Sequence, residues 1–489
     1  MGPRAVVGRR SASILQRIAS IIYIYRPIPG GHAVPTVDSE LLTRAAARQP
    51  AAHAKRPAAT GTSLPTTSRR GFLKTSTALL AAPTIVPASA LGREGQPPPS
   101  ERVVVGSIGT GDLGRRHHLR ILLDNPRVRV GAVCDVDRSH REEAARDVLD
   151  RTGSRVGVYR DFRDLCDQRD LDAVLIAVPD HWHALTATCA MESGKDVYLE
   201  KPLTLTIAEG QHLVRTARRY GTVIQTGSQQ RSDGSGRFPL ACELVRNGKI
   251  GRLEQVDTYI GGIDGGQWQT PTTPPPELDW NFWLGPAPWS EFTPNRCHYQ
   301  FRWFSDYSGG KMTDWGAHHN DIAQWGIGAD GSGPVSVEPL SVTWNADGPH
   351  DVPLEFDVLY RYANGVQLVC HSQGENGVKF TGTDGWIFVS RGSIAASDPE
   401  LLKIEPTGDE IRLPRVRNHH NNWLDCIASR ERPICDVEIG HRSVTVCHLG
   451  NIALRLGRPL NWDPEREEFV GDEQANLFCT KPMRSPWHL

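Results

Sequence analysis

A short apolar run followed at once by a glycine-rich turn constrains the fold of this chain most. Val103 to Ile108 has the length and β-branched content of a buried parallel strand, and Gly109-Thr110-Gly111-Asp112-Leu113-Gly114 comes directly after it. In such a turn the first glycine permits the tight bend, the second lets the backbone approach a pyrophosphate, and the third lets the next helix pack closely. The helix expected from Leu113 to Leu123 would point its first N–H groups at the phosphates.

A second apolar strand, Val128 to Val133, leads to Asp135, where an acidic residue is expected to hydrogen-bond the ribose hydroxyls of a dinucleotide. Because a carboxylate there would repel a 2′-phosphate, the sequence favours NAD, although the nearby Arg138 keeps NADP open. A glycine-rich turn alone is weak, since glycines are common in ordinary turns. Here the strand, the helix and the acidic residue agree, so we expect a bound dinucleotide.

The pattern of the chain changes near residue 227. Strands and helices alternate over residues 101–226, which predicts a doubly wound parallel sheet with its ligand at the carboxyl ends of the strands. Beyond Gly227, longer alternating segments predict a large, mostly antiparallel open sheet. We therefore expect an α/β protein with a Rossmann domain (101–226), a C-terminal α/β domain (227–465) and a tail (466–489). An aromatic excursion from Gln267 to Phe304 is typical of a lid or an oligomer contact.

Residues 1–90 differ from the rest in charge. They contain 12 Lys/Arg and only two acidic residues, a net charge of +10, so with −1 for the whole chain the remainder carries −11. An acidic mature protein makes nucleic acid and anionic membranes unsuitable partners. The segment Ile14 to Tyr25 is too short, and too interrupted by Arg17, to span a bilayer. We expect no nucleic-acid partner and no membrane anchor.

The same N-terminal region carries a targeting motif. Ser68-Arg69-Arg70-Gly71-Phe72-Leu73-Lys74 precedes an apolar run, Thr75 to Val86, and then Ala88-Ser89-Ala90. This order is similar to a twin-arginine export signal with cleavage after Ala90; the alternative is a chance basic patch. We expect residues 1–90 to be a removed leader and signal, residues 91–100 a linker, and the mature protein to be periplasmic or otherwise extracytoplasmic.

Glu200-Lys201-Pro202 directly follows the strand expected at Asp196 to Leu199. A lysine at the carboxyl end of a parallel strand points into the crevice where a nicotinamide would lie. Its ammonium can hydrogen-bond a substrate hydroxyl and stabilise a developing oxyanion. The alternative is a surface lysine that caps a turn. We expect Lys201 to be catalytic.

A second group of candidate catalytic residues lies in the run from Gly309 to Asp321. Asp314 and His318 are four residues apart, so on one helix they would share a face and the carboxylate could orient the imidazole. A dehydrogenase needs such a base to take the hydroxyl proton as hydride leaves carbon. On spacing alone, a helix cap with a structural histidine explains the pattern equally well.

A metal site is the weaker interpretation of the histidines. His181, His183, His318 and His319 could gather around an ion. The sequence has no H-E-x-x-H motif and no Cys/His ligand spacing. We expect no metal site.

Taken together and in this order, the motifs resemble those of the Gfo/Idh/MocA family. They are the glycine turn, Pro179-Asp180-His181-Trp182-His183, Glu200-Lys201-Pro202 and the Gly-Gly-x-x-x-Asp-x-Gly-x-His run, within residues 100–465. The resemblance implies an N-terminal Rossmann domain, a C-terminal α/β domain whose open sheet is often an oligomer contact, and NAD(P)-dependent chemistry on sugars or cyclitols. We accordingly expect a homo-oligomer, a dimer or a tetramer.

The resemblance also implies residue roles. Lys201 would hydrogen-bond the reacting hydroxyl, Asp314 would be its acidic partner, and His318 would be the catalytic base. His183 and Glu200 would lie near the nicotinamide. The residues expected at the cofactor are Gly109, Thr110, Gly111, Asp112, Leu113, Gly114, Asp135, Pro179, His183, Glu200 and Lys201.

Aromatic residues surround Arg302 in the segment His298 to Asp306. They suit a carbohydrate, because C–H faces stack on rings while hydroxyls take charged donors. Ordinary core packing explains most tryptophans of this chain equally well. The residues expected at a small carbohydrate substrate are Arg302, Trp303, His319 and His420.

The expected activity is transfer of a hydride from a ring hydroxyl of a sugar, cyclitol or glycoside to NAD(P). Free NAD is scarce outside the cytoplasm, whereas a protein that folds before export can carry its cofactor with it. We therefore expect the cofactor to be tightly bound and recycled. Two alternatives remain open: an NAD-dependent glycosidase acting by transient oxidation and elimination, and a non-catalytic carbohydrate-binding protein on a dehydrogenase scaffold.

Overall fold

The structure, a computed structural model, describes Pro98, residues 101–232 and residues 234–489. The expected leader, export signal and nearly all of the expected linker lie outside these residues. Among the helices of the described residues, none is both long enough and apolar enough to cross a membrane.

The Rossmann domain is built on six parallel strands in the order β3-β2-β1-β4-β5-β6. This is the order of doubly wound dinucleotide-binding folds, and it confirms the expected parallel sheet. The strands are β1 (Val103–Ile108), β2 (Val128–Cys134), β3 (Gly157–Tyr159), β4 (Ala173–Ile176), β5 (Asp196–Leu199) and β6 (Ile224–Thr226). Every residue of β4 and β5 is buried, which explains their nearly continuous apolar sequences.

Helices cover both faces of this sheet. The helix after the glycine turn begins as a π-helical segment, Leu113–Leu119, and continues as α1 (Arg120–Asp124). The others are α2 (Arg138–Thr152), α3 (Phe162–Cys166), α4 (Asp180–Glu192) and α5 (Ile207–Tyr220). Thr206 and Glu209 form a capping box at the start of α5, so that two N–H groups of its first turn are satisfied.

The C-terminal domain contains a nine-stranded sheet in the order β13-β12-β11-β7-β10-β9-β8-β14-β15. β7 and β10 pair in parallel, and every other pair of neighbouring strands in this sheet is antiparallel. This confirms the expected mostly antiparallel sheet. The strands are β7 (Leu253–Tyr259), β8 (Ser336–Thr343), β9 (Glu355–Arg361), β10 (Gln367–His371), β11 (Gly377–Gly382), β12 (Trp386–Val389), β13 (Ile394–Ala396), β14 (Leu460–Asp463) and β15 (Glu468–Phe469).

Long helices pack on one face of this sheet and form the largest apolar core with it. These are α6 (Arg237–Arg246), α9 (Gly316–Ile327) and α11 (Val437–Leu456); the shorter helices of the domain are α7 (Trp280–Leu284), α8 (Gly310–Asp314), α10 (His419–Ser429) and α12 (Glu473–Asn476). The sequence pattern did not predict α6. Its Pro239 lies in the first turn, where no intrahelical N–H is required, so the proline does not break the helix.

The excursion has its own small core. Trp280 stacks on Trp283 with ring centroids 4.8 Å apart, and Tyr307 meets Trp283 edge-on at 5.0 Å. Residues 466–489 are also packed: β15 ends the large sheet, and Trp487 lies 4.7 Å from the ring of Trp182. Most of these aromatic rings therefore take part in ordinary core packing, the alternative to stacking on a carbohydrate.

Candidate active site

A cavity of about 880 Å³ lies at the carboxyl ends of the parallel strands. Residues that follow β1, β2, β4 and β5 line one side, beginning with Gly109, Asp135, Ala177 and Glu200. The excursion and the helices α8 and α9 supply the other side. This is the position at which a doubly wound sheet binds its ligand.

The glycine turn fits a dinucleotide sterically. Gly109 has φ +82°, and a Cβ there would lie 2.4 Å from the carbonyl oxygen of Ala177. A Cβ at Gly114 would lie 1.9 Å from the carbonyl oxygen of Gly109, whereas the nearest atom to a Cβ at Gly111 is 3.7 Å away. Gly109 and Gly114 are therefore required by the backbone itself, whereas a Cβ at Gly111 would make only an ordinary contact with His140, so the packing of the protein alone does not require Gly111. The helix has no side-chain cap, so its first N–H groups remain available to an anion.

Asp135 lies at the end of β2 and lines the cavity. Its carboxylate accepts hydrogen bonds from the backbone N–H groups of Thr110, at 2.7 Å, and Asp137, at 2.9 Å. These bonds fix the carboxylate where the ribose hydroxyls are expected. Arg138 points elsewhere, toward Glu277 at 3.5 Å, and does not line the cavity. Arg138 is therefore not placed to bind a 2′-phosphate, so it gives no support for NADP as the cofactor.

Lys201 and Asp314 meet across the two domains. The ammonium of Lys201 lies 2.7 Å from Oδ1 of Asp314 and 3.3 Å from its backbone oxygen. Burial alone would raise the pKa of the Asp314 carboxyl, but the neighbouring cations, chiefly Lys201 and Arg302, hold this pKa below its ordinary value. Asp314 is therefore an ionised partner of Lys201, as the resemblance implies.

His318 lines the same cavity, but Asp314 does not orient it. The helix α8 ends at Asp314 and α9 begins at Gly316, so the two residues do not share one helix face. Nδ1 of His318 is buried and has no hydrogen-bond partner among the described residues, which leaves Nε2 as the nitrogen that can meet a ligand. Burial, together with the charge of Lys201, holds the pKa of His318 well below its ordinary value. The His318 imidazole is therefore uncharged near neutral pH.

Glu200 is buried beside Lys201 and belongs to a polar cluster that the sequence did not predict. Its Oε1 lies 2.9 Å from Nε2 of His118 and accepts a hydrogen bond from Gln229 at 2.7 Å. Burial would raise the pKa of Glu200, but His118 lowers it, and the resulting pKa is about 2. His117 and His118 are adjacent in the helix that follows the glycine turn. This pair of histidines is the sequence feature that could have indicated the polar cluster around Glu200.

Four of the expected residues lie behind the cavity wall. His183 is buried, with Nδ1 2.7 Å from the oxygen of Pro202 and Nε2 3.0 Å from that of Val178. The Thr110 hydroxyl donates a hydrogen bond to Oδ2 of Asp135 at 3.4 Å, and Thr110 does not line the cavity. His319 contacts Gln230 and Asn376, and Trp303 packs beside His350. Neither His319 nor Trp303 lines the cavity, because adjacent residues on a helix point in different directions.

His420 is also displaced from the expected substrate position. It stacks on Tyr198, with ring centroids 4.8 Å apart, and its Nε2 lies 3.0 Å from Nδ1 of His118. Arg302 does line the cavity, where its guanidinium lies over Tyr299 at 4.2 Å and approaches Asp314 to 3.8 Å. Of the four residues expected at the substrate, only Arg302 reaches the cavity. The remaining expected cofactor residues all line it, namely Gly109, Gly111, Asp112, Leu113, Gly114, Asp135, Pro179, Glu200 and Lys201.

The four histidines considered as metal ligands, His181, His183, His318 and His319, do not form one cluster. His181 bonds the carbonyl oxygen of Trp283 at 3.0 Å, while His183 and His319 contact the partners given above. Only His318 of the four lines the cavity.

Comparison with known proteins agrees with this architecture. The profile of the oxidoreductase family, NAD-binding Rossmann fold, matches residues 103–228, and that of the oxidoreductase family, C-terminal alpha/beta domain, matches residues 262–489. A glycosyl hydrolase family 109 protein 1 of Shewanella sp. (strain MR-4) is 32% identical over 161 residues, which cover 32% of this chain and 34% of that protein. An inositol 2-dehydrogenase of Salmonella typhimurium (strain LT2) is 30% identical over 148 residues, 30% of this chain and 42% of that protein.

The matched stretch thus spans well under half the length of these relatives. Among solved structures, the WlbA dehydrogenase of Bordetella pertussis in complex with NADH and UDP-GlcNAcA superposes with a TM-score of 0.56 at 17% identity, over 74% of this chain and 99% of that one. At that identity the likeness shows the fold. The two family profiles together span both domains, and with the glycine turn, Asp135 and Lys201 they show that this chain belongs to the Gfo/Idh/MocA family of NAD-binding oxidoreductases.

Proposed function

We propose that this protein oxidises a ring hydroxyl of a sugar, cyclitol or glycoside with an NAD that stays bound and is recycled. The observation that carries the proposal is the meeting of Lys201, Asp314 and neutral His318 in one cavity whose other end is the glycine turn. When bound, NAD would supply the acceptor for the hydride that leaves the substrate carbon.

The protein groups divide the remaining work. Lys201 donates a hydrogen bond to the reacting hydroxyl and stabilises negative charge on its oxygen as the proton leaves. Asp314 holds the ammonium in place through the 2.7 Å contact. His318 takes the hydroxyl proton at Nε2, and its lowered pKa keeps it free of a proton beforehand.

The cavity also supports a carbohydrate ligand. Arg302, Tyr299 and Phe301 lie together on its wall, with the guanidinium 4.2 Å and 4.9 Å from the two ring centres. Aromatic rings can stack on C–H faces, while the guanidinium can donate to hydroxyl oxygens. We propose these three residues, in place of Trp303, His319 and His420, as substrate contacts.

Cofactor retention follows from the proposed export of this protein. A protein that folds before twin-arginine export carries its cofactor out, and outside the cytoplasm it must recycle that cofactor. Oxidation of one sugar would then be coupled to reduction of a second.

A second candidate is a redox-neutral glycosidase, because relatives of glycosyl hydrolase family 109 align with the chain. Oxidation of a ring hydroxyl to a ketone acidifies the neighbouring C–H, which permits elimination of the glycosidic group. Addition of water and return of the hydride then restore the sugar.

The deciding experiment begins with the purified protein. It is denatured, and released NAD(H) is measured by absorbance and mass. About one NAD(H) per chain supports the retained cofactor, and assays with pairs of sugars and with nitrophenyl glycosides then separate the two candidates. Protein that is empty but binds added NAD weakly would contradict retention, and protein that binds none would favour a non-catalytic scaffold.

A further inference from the structure

A second group of polar side chains lies at the cofactor end of the same cavity. Asp137, His140 and His298 each offer one ligand atom, and these atoms all lie within 4.8 Å of one another. Oδ2 of Asp137 is 3.9 Å from Nε2 of His298, and the centres of the two imidazole rings are 4.9 Å apart. All three residues line the cavity, and none of them is among the proposed catalytic residues Lys201, Asp314 and His318.

Asp137 is held by a hydrogen bond that leaves one ligand atom available, and His140 lies beside the carboxylate of Asp135. Oδ1 of Asp137 caps α2 by accepting from the N–H of Ser139 at 2.8 Å, so Oδ2 remains free to face His298. Nδ1 of His140 lies 3.6 Å from Oδ2 of Asp135. A carboxylate at one imidazole nitrogen is the arrangement that orients histidine ligands in metal sites, with the other nitrogen on the ion.

His298 has an unusual backbone conformation. Its φ is +48°, in the left-handed region that residues with a Cβ seldom adopt, and it starts the 3-10 segment His298–Trp303. Such conformations are strained and persist where the surrounding structure imposes them. Its imidazole makes no hydrogen bond to any described residue, and it lies near the carboxylate of Asp137 and the ring of His140.

We propose that Asp137, His140 and His298 bind a divalent transition-metal ion, with Zn²⁺ as the best match. Two imidazoles and one carboxylate suit Zn²⁺ and its transition-metal neighbours, whereas Mg²⁺ and Ca²⁺ prefer oxygen ligands. Bonds of about 2.0–2.2 Å require the three side chains to approach one another by roughly 1 Å, which rotation of the exposed His298 side chain allows.

The site joins two parts of the chain. Asp137 and His140 follow β2 of the Rossmann domain, next to Asp135, and His298 belongs to the excursion. A bound ion therefore fastens the excursion over the end of the cavity where the ribose is expected, and slows release of NAD. This consequence, unlike metal binding itself, rests on the proposed function. The proposal differs from the expectation of no metal site. His298 is far from Asp137 and His140 in sequence, so ligand spacing could not indicate this cluster.

Metal binding is tested on the full chain after treatment with a chelator. Equilibrium dialysis with Zn²⁺ and the absorption spectrum of added Co²⁺ should show one ion per chain. His298→Ala and His140→Ala should each lower the affinity tenfold or more, while His488→Ala, at an exposed histidine outside the cluster, should not change it. Binding that both variants retain, or no stoichiometric binding at all, would overturn the proposal. Circular dichroism confirms that each variant is folded.

The second measurement is the rate of NAD release into excess competing dinucleotide. With Zn²⁺ present, release from the wild-type protein should be at least tenfold slower than from His298→Ala, and a chelator should remove the difference. Release that is equally slow in both would contradict the fastening role. If release is fast in both while the ion still binds through His298, the metal site stands and the retained cofactor of the proposed function fails.

Discussion

The ammonium of Lys201 lies 2.7 Å from Oδ1 of Asp314, a contact that joins the end of β5 in the Rossmann domain to the end of α8 in the C-terminal domain. Both side chains are largely buried, at 14% and 15% exposure, so the pair is shielded from solvent and directed into the cavity. This pair of candidate catalytic residues therefore forms only when the two domains are packed together.

Replacing Lys201 by alanine should lower turnover by roughly 10²–10³-fold, because a donor aimed at the developing oxyanion is lost. The fold and the bound NAD should remain. The measurement is initial rate with a carbohydrate substrate, together with circular dichroism and NAD content. Lys403→Ala, at a lysine that is exposed and paired with Glu400, is the matched control and should keep full activity. Undiminished turnover in Lys201→Ala would remove this residue from the mechanism.

The pH dependence of oxidation should reflect neutral His318. Its pKa lies well below the ordinary value of 6.5, so the imidazole takes up a proton only at more acidic pH, and the acid limb of kcat/KM should lie below pH 6.5. Arg391 contributes to that lowering. Arg391→Gln should therefore shift the acid limb toward higher pH. A shift toward lower pH, or an unchanged profile in His318→Asn, would be inconsistent with His318 as the base.

Gly114→Ala should abolish retention of NAD. The new Cβ would lie 1.9 Å from the carbonyl oxygen of Gly109, so the helix must move away from the turn. Gly331→Ala is the control, since no atom lies within 4 Å of a Cβ there. The NAD(H) released on denaturation should fall to near zero in the first variant and stay at the wild-type level in the second. Equal NAD content in both would show that the turn tolerates a side chain.

Arg231→Met should destabilise the protein by about 3–5 kcal/mol, because it leaves a buried carboxylate without its cation. Nε of Arg231 lies 2.8 Å from Oδ2 of Asp321, and both side chains are at most 1% exposed. Arg361→Met removes a surface pair with Glu338 and should cost about 0–1 kcal/mol. Guanidinium unfolding of the two variants measures the difference, and similar midpoints would mean that the buried pair adds little.

The sequence identified the parts of the site that depend on local backbone geometry. The spacing of Gly109, Gly111 and Gly114 after an apolar strand, and the acidic residue at the end of the next strand, are sufficient because strand, turn and helix are contiguous. Lys201 was found in the same way, from its place directly after β5. Asp314 and His318 were identified, but their relation was not: the break between α8 and α9 turns Asp314 toward Lys201.

The sequence by itself determined the fold class, the glycine turn and most of the expected cofactor residues that line the cavity, because hydrophobic periodicity and glycine placement act over a few neighbouring residues. The tertiary structure alone decided which side chains share the cavity. It buried Trp303, His319 and His420 behind the wall, placed His118 against Glu200, and brought His298 to Asp137 and His140. Such contacts depend on how distant segments pack and on the direction in which each side chain leaves its helix. The spacing of neighbouring residues in the sequence predicts neither.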